Sequence, residues 1–408
     1  MSCGSLSNVC PAKTLRKMAN DGLATRLEKH VFHTTMTDRM RETVAEPYHK
    51  RVQYELAVIE QMGFSNHFVI VADIIQWMKA QNIQIGPGFG SSPGSAVAWA
   101  LTITDIDPLR WGLLFERFLN TDRHSAPDFF IELCRNRWEE GIQYAESKYG
   151  YAPTYVNNEN CELPYARFNN DKSNTGQLPS FAFSPDNDLS HLAKAMSLIK
   201  QDTGIEIDLS TLPLDDPATY SLLSKGDTEG VFNLGSECSR EVLTRMKPTR
   251  MEDLIATITL FRPGSLDKIP HYVSCKNGDC QPDYMHPSLE PILKETYGVI
   301  AYHEQVMQIA QTLCAYTLYE GDVLRRTLGI GVEKDVNLQR TKFIDRAIAE
   351  GVVPGSAMAI FDKLVASSKY LFLKSHAAAY ALQTYRGAWI KINFPHAFAT
   401  SMAAVSVI

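Results

Sequence analysis

The residues best placed to do chemistry are a glycine- and serine-rich loop and a short acidic strand. Gly86-Pro-Gly-Phe-Gly-Ser-Ser-Pro-Gly-Ser95 follows a strand-like Asn82–Ile85 segment and opens the apolar run Ala96–Leu101. Glycines let backbone N–H groups converge, and a helix N-terminus favours an anion, so this loop could cradle a phosphate. Its spacing does not select that use. Gly88-x-Gly90 is followed by Pro93 where a dinucleotide fingerprint needs glycine, and the Gly-Lys-Ser/Thr of a P-loop is missing. A plain Gly-Pro turn therefore stands beside the phosphate reading. Asp128-Phe-Phe-Ile-Glu-Leu133 reads as a strand from its aromatic and β-branched residues. Asp128 and Glu132 share a face of it, but at about 3.3 Å per residue they stand about 13 Å apart.

The eight cysteines contain no Cys-x-x-Cys. Cys275 and Cys280 are not followed by a His pair at zinc-finger spacing, so no structural zinc site is expected. Reduced thiols in a cytoplasmic protein are the expectation.

The elements that must position these residues are mostly helical. Apolar residues recur at helical spacing through residues 14–62, and His67–Met78 is long enough for a helix rather than a buried strand. Residues 150–190 change character, being rich in Asn, Ser, Pro and Asp with no sustained period. They read as a long irregular insert, abnormal inside a compact domain. From about residue 192 the pattern is helical again, with a Phe-Arg-Pro-Gly turn at 261–264. The expected class is α+β: a small mixed sheet with helices, followed by a mostly α-helical domain. The expected divisions are a helical lead-in over 1–62, a sheet-bearing domain over 63–215 and a helical domain over 216–408.

With 40 basic and 46 acidic side chains the chain carries −6, which excludes nucleic-acid binding by bulk positive charge. The excess acid lies in residues 1–215, with 20 basic against 26 acidic, while residues 216–408 balance at 20 each. No stretch approaches the ~18 apolar residues of a membrane span, and no membrane partner is expected.

Several blocks together resemble the α subunit of bacterial replicative DNA polymerase III, the C-family polymerases. They are the 86–101 loop, TDIDPLRWGLLFERFLN (104–120), PDFFIEL (127–133), GDTEGVFNL (226–234), LFRPGSL (260–266), HPSLEPILKETYGVIAYHEQVMQIAQ (286–311), LRRTLG (324–329) and KSHAAAYAL (374–382). The resemblance covers about residues 14–150 and 205–405. It implies a palm-like sheet, a helical fingers domain and nucleotidyl transfer from dNTPs onto a primer 3′ end during DNA replication. It implies Mg²⁺ as cofactor, primer-template DNA and dNTP as partners, and replication proteins as further partners. In that reaction two metal ions clamp the attacking hydroxyl and the leaving pyrophosphate.

The same resemblance exposes departures. Asp128 matches the first metal ligand and catalytic carboxylate of the family's Pro-Asp-Phe-Asp strand. Phe130 stands at the second, where it cannot bind Mg²⁺. The block bearing the third carboxylate is not found; Asp208 matches a position that is not catalytic. The interval from 150 to 212 is about a hundred residues shorter than the family's, so the 150–190 stretch resembles a scar where palm strands were lost. Phe89 replaces an arginine that faces the triphosphate, while Gly90, Ser91, Gly94 and Ser95 keep the backbone cradle. Arg325 and Arg326 match the paired fingers arginines, Arg262 the Phe-Arg-Pro-Gly arginine, and Lys374 and His376 the Lys-Ser-His block. These are the expected nucleotide-binding residues. A solvated or dipole-compensating role for the arginine pair, and a packed helix start for His376, are the bland alternatives. No PHP metal domain is expected before residue 14. The expected outcome is an impaired polymerase; the alternatives are a non-enzymatic nucleic-acid- or nucleotide-binding accessory that keeps the fingers, and a decayed gene product.

Overall fold

The computed structural model describes residues 10–121, 126–150, 153–156, 165–168 and 181–405. They divide into two compact units: residues 1–213 with 389–408, and residues 214–388.

The first unit begins with helices α1 (Pro11–His30), α2 (Asp38–Gln61) and α3 (Ser65–Ala80). Pro11 suits the first turn of α1, where its missing N–H is not needed. Leu15, Ala19, Leu23 and Leu27 then recur every four residues and are buried. Thr37 caps α2 through the Met40 amide. α4 (Ala96–Ala100) follows the glycine loop, and α5 (Trp138–Tyr149) follows strand β1 (Phe129–Cys134). α1 and α2, within the lead-in expected over 1–62, share one hydrophobic core with α3, α4, β1 and the aromatic residues of the sheet.

The expected irregular insert at 150–190 is corrected in its described residues, 153–156, 165–168 and 181–190; the rest of that expectation lies outside the described residues. The described residues contain strands β2 (Thr154–Val156), β3 (Tyr165–Phe168) and β4 (Phe181–Asp186), three of the four strands of the sheet. The order is β1-β4-β3-β2, with β1 parallel to β4 and the other pairs antiparallel. Phe129 pairs with Phe181 and Glu132 with Ser184. The driving force is aromatic: Phe168 and Phe181 stack at 4.5 Å, and Phe183 packs against both. On the other edge of β1, Gly86 donates to the Glu132 carbonyl and Cys134 to that of Gln84, which ties the glycine loop to the sheet. Asp186 caps α6 (Asn187–Thr203), and α17 (Pro395–Val405) packs on α6.

The second unit holds α7 (Pro217–Ser224), α8 (Glu237–Met246), α9 (Met251–Leu260), α10 (Ile269–Asn277), the single turn α11 (Glu290–Leu293), α12 (His303–Cys314), α13 (Leu318–Ile330), α14 (Glu333–Ala349), α15 (Pro354–Ser367) and the body of α16 (Lys374–Asn393). α11–α15 enclose a core that includes Leu293, Leu313, Phe343 and Phe361. Among the described residues, no helix is long and apolar enough to cross a membrane.

Candidate active site

Asp128 sits just before β1 and is exposed. Its Oδ2 accepts from Arg167 Nη2 at 3.2 Å. Arg167 stands on β3 opposite Ala182 of β4, and Ala182 stands opposite Phe130 of β1, so one small residue separates the guanidinium from Asp128's strand. On the face of Asp128, β1 offers Phe130 and then Glu132, which is buried. The neighbouring strand offers Ala182 and Ser184 there, and its first acid, Asp186, is engaged in capping α6. Phe89 of the glycine loop packs on Phe130 with ring centroids 4.6 Å apart, and Phe130 meets Tyr165 edge-on at 5.4 Å.

The loop's helix N-terminus is already filled by an internal anion. Glu55, fully buried on α2, accepts from the Ala96 amide at 2.9 Å, the Val97 amide at 3.0 Å and the Ser95 hydroxyl at 2.7 Å. Arg51 pairs with the same carboxylate at 2.7 Å. Burial pushes the Glu55 carboxyl up, against the pull of Arg51 and these donors. The expected cradle is thus corrected at Ser95: its hydroxyl and the amides behind it serve the fold. Gly94 is required by packing, since a Cβ there would meet the Leu114 carbonyl oxygen at 2.8 Å. Gly90 is required by its φ of +63°. Gly90 and Ser91 remain half-exposed.

In the second unit the cationic candidates carry internal partners. Arg325 and Arg326 of α13 both donate to buried Asp322, each at 2.7 Å, three and four residues away on the same helix. Two guanidiniums and one carboxylate leave a local charge of about +1. Lys374 is buried, with its Nζ 2.7 Å from a Glu295 oxygen. Glu304, also buried, takes the Lys374 and Ser375 amides at 3.0 and 3.3 Å and so fills the N-terminus of α16. Arg262 is exposed, its guanidinium 3.9 Å from the centre of the Phe372 ring. His376 lies between Phe372 and Tyr380. Burial first, and the Arg262 charge second, push its imidazole down to about 4, so at pH 7 it is neutral.

Residues 13–159 match the bacterial DNA polymerase III alpha NTPase domain, and residues 188–351 match the bacterial DNA polymerase III alpha subunit finger domain. The DNA polymerase III subunit alpha of Caulobacter vibrioides is 36% identical over an alignment covering 96% of this chain and 42% of that protein. That of Pasteurella multocida is 33% identical over 96% and 43%, and that of Thermus aquaticus 32% over 90% and 39%. The chain belongs to the bacterial DNA polymerase III alpha family. It spans about two-fifths of the length of these curated relatives. The Caulobacter alignment runs over 496 positions, of which 96% of a 408-residue chain fills fewer than 400. Roughly a hundred positions of the relative thus have no counterpart here. The polymerase III alpha family uses divalent metal ions.

Within this family frame, the charges that the sequence left unpaired prove to have partners. Asp322 precedes the Arg pair at helical spacing, and Arg51 precedes Glu55 by four, signals that the sequence does carry. Arg167 lies 39 residues from Asp128, and no local pattern announces that pair.

Proposed function

We propose that this chain is a palm-and-fingers portion of a DNA polymerase III alpha subunit, acting on primer-template DNA and dNTP by ancestry, in which nucleotidyl transfer is absent or strongly reduced. The observation that carries this reading is the surroundings of Asp128. The family chemistry needs paired carboxylates converging on divalent cations. Here the one matched acid, Asp128, is paired with a guanidinium, and rings occupy two altered positions, Phe89 and Phe130. A Mg²⁺ ion at Asp128 would have to displace Arg167, and among the described residues the same face of β1 and β4 brings no second exposed carboxylate beside it. The residues present do not fit a two-metal centre, so no catalytic step is assigned to one.

A binding role that outlasts catalysis is the second reading, and one feature favours it. The altered positions at the metal and triphosphate site, Phe89 and Phe130, lie in the first unit, while the departures from the family pattern in the second, Ile330-Gly331-Val332 and Leu373, leave its paired arginines in place. The fingers unit keeps helix caps: Thr317 and Glu320 form a capping box on α13, and Gln305 of α12 accepts from the Ala301 and Tyr302 amides.

A primer-extension assay with Mg²⁺ or Mn²⁺ tests the main reading. Extension at or near background, unchanged by Asp128→Ala, is the expected result. Robust extension abolished by Asp128→Ala would overturn it. DNA binding that weakens with salt, without extension, selects the second reading.

A further inference from the structure

The sequence shows no zinc pattern after Cys275 and Cys280 because the third side chain comes before them. α10 carries His271 and Cys275 one turn apart on the same side. The helix stops at Gly278, whose φ of +84° reverses the chain and returns Cys280 to the helix end. Cys275 Sγ then lies 2.7 Å from Cys280 Sγ and 3.7 Å from His271 Nε2. The ligand atoms of all three lie within 4.8 Å of one another, and no other such group of His, Cys, Asp or Glu occurs among the described residues. Both cysteines are free thiols.

Donor type and geometry narrow the ligand. Two sulfurs and an imidazole nitrogen select a borderline-soft cation over Mg²⁺ or Ca²⁺. Zn–S near 2.3 Å and Zn–N near 2.0–2.1 Å place sulfur and nitrogen about 3.6 Å apart and two sulfurs about 3.8 Å apart in a tetrahedron. The Cys275–His271 separation already matches. The two sulfurs are closer than that, and two neutral thiols at 2.7 Å are crowded. Cys280 is half-exposed and follows the turn, so rotation about its χ1 opens the gap while Cys275 stays buried. His271 also lines a cavity of about 510 Å³ with Asp283, Lys268 and Lys363.

We propose that His271, Cys275 and Cys280 form a binding site for one zinc-like divalent cation that fastens the end of α10 to the loop following it. Binding converts two thiols to thiolates, their protons passing to solvent, while the imidazole binds neutral. The cation is neither reduced nor oxidised. The site belongs to the second unit and Asp128 to the first, and its proposal does not depend on whether the chain extends primers.

The test uses the full chain, purified under reducing conditions, equilibrated with Zn²⁺ and dialysed against metal-free buffer. Elemental analysis is expected to find one zinc per chain. Co²⁺ in its place is expected to give a sulfur-to-cobalt charge-transfer band. Cys280→Ala and His271→Gln alter partly or fully exposed side chains, and their circular dichroism shows whether the fold is kept. Each is expected to weaken zinc binding by about 100-fold or more, with the cobalt band reduced in Cys280→Ala. Three results overturn the proposal: no zinc retained by the wild type, retention unchanged in both folded variants, or a wild-type mass lower by two hydrogens with no cobalt band. The last outcome identifies a disulfide instead.

Discussion

At the scale of single residues, the arginine pair shows how a family-matched cation can be present and yet committed elsewhere. Asp322 is fully buried and divides its two oxygens between Arg325 and Arg326. An incoming phosphate would have to compete with a buried carboxylate that already holds both guanidiniums by charge-assisted hydrogen bonds. Asp322→Asn keeps the shape and removes the charge. It is expected to strengthen binding to single-stranded DNA at low salt, and to steepen the salt dependence by about 0.7 of log–log slope per phosphate gained. Fluorescence anisotropy over a salt series measures both; unchanged affinity would mean that these arginines do not face the nucleic acid. The residue scale is also where sequence reading was most selective. Matching Asp128 and noticing Phe89 and Phe130 needed only the motif. That the two rings pack on each other needed the hydrogen bonds of the glycine loop to β1, and that Arg167 comes to Asp128 needed the β1–β4–β3 register.

At the scale of elements, the glycine loop and α4 behave as one cap built around Glu55. Three donors and the partly exposed Arg51 converge on that buried carboxylate. Removing one partner of a buried charge pair leaves the other uncompensated, so Glu55→Ala is expected to destabilise by about 3–5 kcal/mol. Ser95→Ala, which removes only a cap and one hydroxyl donor, is expected to cost about 1 kcal/mol. All five tryptophans lie in the first unit, at 77, 99, 111, 138 and 389, so their fluorescence during urea unfolding reports this change directly. Equal effects of the two substitutions would contradict the buried-anion account. The helices were legible in the sequence because apolar residues recur along α1, α3 and α12 over many turns. β3 and β4 were not, because four to six residues with aromatic side chains are too few to stand out among the asparagines and serines around them. Packing of Phe168, Phe181 and Phe183, a long-range effect, decides those strands. His271 was missed as a partner of the cysteines for a similar reason: it lies on the N-terminal side of the pair, brought there by the turn of α10.

At the scale of the whole molecule, the two units are expected to answer acid differently. In the first, burial raises the carboxyls of Glu55, Asp107 and Asp188, Asp188 to about 7 with the Asp186 charge adding to the effect. A carboxyl raised in the folded state contributes its full stability below its unfolded pKa of about 4 and loses it as pH rises, so this unit gains from these groups on acidification. His30 opposes them: burial, then the charges of Arg26 and Lys29, push it down to about 4, and its contribution is lost as pH falls from about 6.5 to 4. In the second unit His376, also pushed down to about 4, loses its contribution over the same window. The lowered carboxyls there, Asp253 and Glu320, the latter brought to about 2 by Arg346 and Lys342 against its burial, begin to lose theirs only below about 4.5. Acidification from pH 7 to 5 is therefore expected to raise amide exchange, corrected for its intrinsic pH dependence, more in residues 214–388 than in 10–213. His376→Phe, which keeps a ring between Phe372 and Tyr380, is expected to remove much of that difference. A larger acid response in the first unit, or one in the second unit unaffected by the substitution, would show that burial of His376 does not set the acid limit of the fingers helices.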